Sequence, residues 1–379
     1  MEYRKFKDTG LKTSLLGMGC MRLPLIPGKG EAIDYEKAEE IIDYAYEHGV
    51  NYFDTAYVYN GGESEKVVGR ALKKYPRDSF FLVTKMPGPL CENEDDVRRI
   101  FNEQLERCGV DYFDFYLCHN INEYSVDKFM AGYIIPVLEE YKTQGKIRFL
   151  GFSSHGSPEL LEKFAKLRDW DFAQIQLNYF DWDFQDAKRQ YEILTNLGIP
   201  VMVMEPVRGG RLASLCPEAD KLMLDYAPDK SIASWALRFA ASLPNVQVVL
   251  SGMSTMDQVI DNVNTFSNFQ PLNEEEHRII RQAVEILKAK TFLPCTGCRY
   301  CIECPMELPI PDLLSALNEY NLSPSPFALM RVFDMEEKKR PENCIECRQC
   351  VSRCPQGIDV PEALGQLAKL VRETPPPPR

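Results

Sequence analysis

Eight of the chain's 13 cysteines stand in two short runs near its C-terminus. Cys295, Cys298, Cys301 and Cys304 run directly into Pro305, and Cys344, Cys347, Cys350 and Cys354 into Pro355. Thiolates spaced this closely are suited to ligating a metal centre, and such clustering in a cytosolic chain indicates metal rather than disulfides. Iron-sulfur ligation and tetrahedral zinc both remain open on the residues alone. Far upstream, residues 51–59, 83–85 and 116–119 carry an aspartate, a tyrosine, a lysine and a histidine in order: Asp54, Tyr59, Lys85 and His119. Side chains of these types can hold, orient and transfer protons.

The cysteine runs resemble those of bacterial two-cluster ferredoxins. The second run matches that spacing in full, whereas the first has two residues rather than three before its last cysteine. The resemblance implies two 4Fe-4S clusters with crossed ligation. Cys295, Cys298 and Cys301 would pair with Cys354, and Cys344, Cys347 and Cys350 with Cys304. The proline after each run turns the chain away, so that the last thiolate can point elsewhere. Ile302, Leu308, Ile310, Ile345, Val351, Ile358 and Val360 are the expected apolar jacket, which limits water and tunes the cluster.

Elements able to position the upstream residues are legible over most of the chain. Compact apolar runs at 15–19, 50–54, 80–84, 113–119, 149–153, 172–176, 201–204 and 246–250 read as strands buried on both faces. Amphipathic segments at 35–48, 63–74, 94–108, 133–144, 158–167, 185–196 and 231–241 read as the helices between them. Eight such units in about 250 residues predict an α/β fold, a (β/α)8 TIM barrel. An open doubly wound sheet is the alternative, but no Gly-x-Gly-x-x-Gly turn follows the first strand. The expected organisation is a barrel over 1–290, ending in a helical stretch at 273–290. A small, mainly helical and loop, ferredoxin-like iron-sulfur domain follows over 291–370, then a Pro-rich disordered tail over 371–379.

Residues 51–59, Val83-Thr84-Lys85 and Tyr116-Leu117-Cys118-His119 together look like the catalytic signature of aldo/keto reductases. That resemblance covers about residues 1 to 290. It implies that Tyr59 is the proton donor to a carbonyl oxygen, with Lys85 lowering the phenol's pKa from its ordinary ~10. Asp54 would hold Lys85 charged, and His119 would orient the carbonyl. A nicotinamide cofactor, NAD(P)H, is implied as well, bound without a Rossmann turn. The corresponding positions are Met21 after the first strand, Ser153 and Ser154 after the fifth, Gln174 on the sixth and Met204 on the seventh. Gly209, Gly210 and Arg211 follow in a loop suited to the pyrophosphate, with Ser254, Asp261 and Asn262 in the adenosine region after the eighth strand. Ser154 departs from a frequent Asn, and Met204 from a Tyr that stacks on nicotinamide. Gly252 and Gln258 stand where NADP-preferring members carry basic residues, which makes NADH at least as good a candidate as NADPH.

Charge and hydropathy limit the partners. A net charge of −12 disfavours nucleic acid. No run reaches the ~18 apolar residues of a membrane span and the N-terminus lacks a signal-peptide run, so a cytoplasmic protein is expected. The expected partners are a small carbonyl or alcohol substrate and a redox partner protein for the clusters. Another reading is an iron-sulfur electron-transfer or cofactor-sensing subunit without carbonyl reductase activity of its own.

Overall fold

The computed structural model describes residues 1–30, 32–289, 293–301, 303–322 and 326–375. Ile302, the expected boundary at 290/291 and residues 376–379 of the Pro-rich tail lie outside them. Among the described residues ten strands run in chain order as β1 (Tyr3–Lys5), β2 (Lys12–Ser14), β3 (Leu16–Gly19), β4 (Tyr52–Asp54) and β5 (Phe81–Met86), then β6 (Phe113–Ile121), β7 (Ile147–Ser154), β8 (Phe172–Gln176), β9 (Val201–Met204) and β10 (Val246–Ser251). Strands β3 to β10 form a closed barrel in sequence order, with β10 returning to β3. Every neighbouring pair of barrel strands is parallel, for example with Asp54 opposite Val83 and Lys85 opposite Leu117. All eight expected strands are present within a few residues.

Burial on both faces explains why these strands read as unbroken apolar runs: every residue of β4, β5, β8 and β10 is buried. Local chemistry sets the helix ends. Asp34 caps helix Tyr35–Glu47 by accepting from the Lys37 amide, and Asn93 caps Glu94–Cys108, which stops at left-handed Gly109. The β1–β2 hairpin is antiparallel, with Tyr3 opposite Ser14, and its strands are too short to be legible in the sequence. It carries Phe6 into the barrel, where the ring meets Phe115 at 5.1 Å and Phe149 at 4.8 Å. Phe6, Tyr52, Phe81, Phe115, Phe172 and Met202 belong to one buried cluster.

By its contacts the chain divides into two units, one of Met1–Val207 with Ala233–Asn273, the other of Arg208–Ile232 with Glu274–Arg379. The second takes in the segment that follows β9, including an unanticipated helix Pro217–Tyr226, and helix Glu274–Lys288. Its core is built by helices Ile310–Leu322 and Val360–Glu373, through Leu313, Leu314, Leu317, Leu364 and Leu367. Leu308, Ile310, Ile358 and Val360 join that core, and Cys301, Cys304, Cys344, Cys350 and Cys354 pack against it. Ile345 does not act as a jacket residue: it is 59% exposed, because the 344–347 turn faces solvent. Among the described residues no helix is long and apolar enough to cross a membrane.

Gly69 marks the tightest helix contact behind the second and third barrel strands. A Cβ there would stand 2.3 Å from the carbonyl oxygen of Cys108, which is backbone and cannot swing away. Gly69→Ala gains about 1 kcal/mol of helix propensity but overpacks this contact, so we expect net destabilisation of about 1–3 kcal/mol. A thermal midpoint equal to or above that of the wild type would show that the two helices can separate without cost.

Candidate active site and cysteine-lined cavity

Three neighbouring strands deliver three of the four expected residues. Asp54 ends β4, Lys85 lies on β5 and His119 on β6, all towards the C-terminal ends where barrel sites form. Tyr59 comes from the turn Tyr59–Gly62 after β4, in which Asn60, Gly61 and Gly62 have φ of 50°, 63° and 91°. Three left-handed residues in succession reverse the chain within one turn, which a two-glycine sequence allows at little cost. The Lys85 Nζ donates to Asp54 Oδ1 and to the Thr55 carbonyl, each at 2.6 Å, and lies 4.9 Å from the Tyr59 ring centroid. The Tyr59 and His119 rings meet edge to face at 5.9 Å. All four expected residues are thus brought together.

The electrostatics differ from expectation at one point. Lys85 was expected to lower the Tyr59 phenol, yet the phenol is held well above its ordinary value by burial, then by the negative Asp54 and Glu205. The physical reason is that the Lys85 charge is already matched by Asp54, leaving burial to dominate. Burial also pushes the Asp54 carboxyl up, with Lys85 opposing it. His119 is moved well below its ordinary value by burial, then by Lys85 and His155, so its imidazole is neutral at physiological pH.

A buried polar network behind Lys85 escaped the sequence reading. Glu65 Oε1 accepts from Thr84 Oγ1 at 2.6 Å and from Gln104 Nε2 at 2.9 Å, and Gln104 Nε2 also reaches the Lys85 carbonyl at 3.0 Å. Arg107 pairs with Glu65 at 3.3 Å, while Tyr116 Oη donates to Gln104 Oε1. These bonds clamp the β5 backbone that carries Lys85. A glutamate on the inward face of helix Glu63–Leu72 was the available signal.

The expected cofactor positions fall in both units. Gln174 is buried on β8 with its Nε2 3.6 Å from Met204 Sδ, and its Oε1 has no hydrogen-bond partner among the described residues. An unpartnered buried acceptor fits a carboxamide N–H donor. Ser153 Oγ accepts from the Asn120 amide at 2.8 Å, and Ser154 Oγ accepts from the Gly156 amide at 3.3 Å. Met21 lies in the short turn Cys20–Arg22 after β3. Ser254 Oγ donates to the Arg22 carbonyl at 2.6 Å and Asn262 Nδ2 to Ser251 Oγ at 2.9 Å, with Asp261 beside it on helix Met256–Ser267. The Arg22–Glu205 ion pair at 3.1 Å was not anticipated, and Glu205 sits at φ 55° directly after Met204. Gly209, Gly210 and Arg211 belong to the second unit.

In that second unit, Cys295, Cys298, Cys301 and Cys354 line one small pocket, together with Pro311, Leu314, Ile358 and Val360. Cys344, Cys347 and Cys304 are the charges that act on the Cys350 thiol. The fourth cysteine of each run is therefore brought to the three of the other. Among the described residues no three ligating side chains converge as for a single ion. Thiols ringing one pocket are of the type and number that can hold an iron-sulfur group.

The ammonium of Lys85 is 0% exposed and depends on Asp54. We expect Asp54→Asn to lower stability in denaturant unfolding by about 3–5 kcal/mol, because it leaves a buried charge uncompensated. The double variant Asp54→Leu, Lys85→Met should cost less than that single change; a larger cost would mean that the pair's packing, not its charge, matters.

A family model described as the aldo/keto reductase family matches residues 15–285, and one described as a 4Fe-4S dicluster domain matches residues 294–358. Among curated proteins, L-galactose dehydrogenase of Arabidopsis thaliana is 29% identical, in an alignment that covers 74% of this chain and 92% of that protein. The NADH-specific methylglyoxal reductase of Escherichia coli (strain K12) is 24% identical, in an alignment that covers 74% of this chain and 97% of that protein. Among solved structures, the holo form of an aldo-keto reductase from Bacillus halodurans superposes with a TM-score of 0.62 at 28% identity, covering 75% of this chain and 96% of that one. Since the family match takes in the whole barrel and the four polar residues converge within it, the chain belongs to the aldo/keto reductase family of oxidoreductases.

Proposed function

We propose that the protein is an NAD(P)-dependent reductase that passes a hydride between nicotinamide and the carbonyl or alcohol carbon of a small substrate. Its C-terminal cysteines would hold two 4Fe-4S clusters, which exchange electrons with a redox partner protein. The observation that carries the first part is the Lys85–Asp54 pair beneath the Tyr59 ring, with His119 against the ring's edge. For the second, support comes from the grouping of the eight cysteines, and from Cys347, which is exposed and so reachable by a partner.

Bound nicotinamide supplies the hydride. Reduction places that hydride on the carbonyl carbon, and the charge growing on oxygen needs a proton and prearranged donors. Tyr59 Oη gives that proton, and solvent restores it. A phenol held above its ordinary value stays protonated at neutral pH, ready to act as an acid. Lys85 stabilises the phenolate that forms as the proton leaves, an effect exerted in the transition state rather than in the resting site. His119, neutral, orients the carbonyl oxygen by hydrogen bonding. Gln174, whose Oε1 has no hydrogen-bond partner among the described residues, would hold the nicotinamide carboxamide. The Ser254–Gln258 turn offers no cation to a 2′-phosphate, and the Gln258 Oε1 is taken by the Ser254 amide at 2.8 Å.

Carbonyl-dependent oxidation of NADH or NADPH tests the reading directly. Tyr59→Phe should lower kcat by about 10²- to 10⁴-fold while the cofactor Kd is unchanged; wild-type turnover would remove Tyr59 from the chemistry. Because the His119 pKa lies below its ordinary value, its proton is lost well before neutrality is reached from the acid side. The kcat profile should therefore show no inflection around pH ~6.5, where an unperturbed histidine titrates. A break there that disappears in His119→Gln would mean that the imidazole works as a cation. In equilibrium binding, NADH should bind at least as tightly as NADPH, and a strong NADPH preference would point to a 2′-phosphate site elsewhere.

A further inference from the structure

Tyr59 stands on a turn between β4 and helix Glu63–Leu72. Inside that turn the bonds are local: the Tyr59 amide donates to the Ala56 carbonyl at 3.1 Å, and the Glu63 amide donates to the Tyr59 and Asn60 carbonyls. Such bonds set the shape of the turn but not its place over Lys85. Ser64 Oγ, donating to the Cys20 carbonyl at 2.8 Å, ties down the helix that follows. Arg107, on helix Glu94–Cys108, meets the turn at both ends. Its Nη1 donates to the Tyr57 carbonyl at 3.2 Å, and its guanidinium lies 4.0 Å from the centroid of the Tyr57 ring. At the far end, a Cβ on Gly62 would stand 2.8 Å from the same Nη1, so the glycine leaves the space that the guanidinium fills. Tyr57 is pinned a third time through its hydroxyl, which donates to Glu103 Oε2 at 2.6 Å.

We propose that Arg107 is a positioning residue for the reaction, holding the proton donor Tyr59 at its working distance from Lys85. This rests on the reading of Tyr59 as the acid. The same guanidinium pairs with Glu65 Oε2 at 3.3 Å, and Glu65 Oε1 accepts from Gln104, which also donates to the Lys85 carbonyl. Gln104 and Arg107 lie on one helix, which thereby holds both the turn that carries the phenol and the strand that carries the ammonium. Attraction between the ammonium and the phenolate that forms as the proton leaves falls with distance, so a slack turn weakens it. A slack turn also misaligns the phenol with the carbonyl oxygen. Arginine suits the task because its planar fork bonds a carbonyl and a carboxylate at its edge while its face covers an aromatic ring, which a lysine ammonium cannot do together. Arg107 bonds to the turn and not to the phenol, and so acts through Tyr59.

Steady-state reduction of 4-nitrobenzaldehyde by NADH, measured on the full chain in two backgrounds, tests this. In the wild-type background Arg107→Met should lower kcat by about 10- to 100-fold, the scale of a small misplacement of reacting groups, with the NADH Kd unchanged. In the Tyr59→Phe background the same change should lower kcat no further, because the group it positions is already lost. Arg107→Lys, which keeps the charge but not the fork, should behave as Arg107→Met does. If Arg107→Met does not fold because Glu65 loses its partner, the charge-balanced double variant Glu65→Gln, Arg107→Met decides the matter and should show the same loss of kcat. An equal fall of kcat in both backgrounds, an NADH Kd that weakens in step with kcat, or wild-type kcat in any of these Arg107 variants would each overturn the proposal. Wild-type turnover in Tyr59→Phe alone would overturn the assignment of the acid, and the proposal with it.

Discussion

A lysine ammonium with no access to water is among the most costly groups a protein can bury, and the barrel's catalytic end is organised around supporting one. Lys85 is held by Asp54 on the adjacent strand and by the Thr55 carbonyl one residue further on. Those partners are available because β4 and β5 pair in parallel register, with Asp54, the last residue of β4, opposite Val83 and so two residues before Lys85. Behind the strand, Glu65 and Gln104 fix the backbone that carries Lys85 through buried bonds that satisfy one another. Once the lysine is fixed and its charge matched, the burial of Tyr59 and His119 decides their protonation. The phenol keeps its proton and the imidazole gives one up, so a protonated phenol and a neutral imidazole stand side by side.

The cysteine-bearing unit meets a different constraint. Its runs of closely spaced thiols have little regular structure of their own, and the apolar surface comes from helices Ile310–Leu322 and Val360–Glu373. Those helices form a core against which the cysteine loops pack, so that the placement of the thiols is set by hydrophobic burial. The two cysteine sets end in unlike surroundings. One lines a pocket beside the half-buried Arg211, which donates to the Cys295 carbonyl; the other includes an exposed thiol next to an exposed isoleucine. Such unlike surroundings give chemically identical ligand sets different electrostatic environments.

Much of this was determined by the sequence alone. Buried parallel strands leave unbroken apolar runs, so the order of the eight barrel strands was legible, and so were the residue types of the tetrad and the cysteine spacing. The β1–β2 hairpin was not, because three-residue strands carry too little periodic signal, nor was the helix Pro217–Tyr226 that precedes Ile232–Ala241. Tertiary structure alone decided the rest. It brought Glu65 and Gln104 to Lys85 across 20 and 19 positions respectively, set the protonation of Tyr59 against the simple expectation from its lysine, and put Arg211 at the Cys295 carbonyl. Motif spacing records which groups a local stretch can offer, but charge compensation and desolvation depend on neighbours that the chain supplies from far away in sequence.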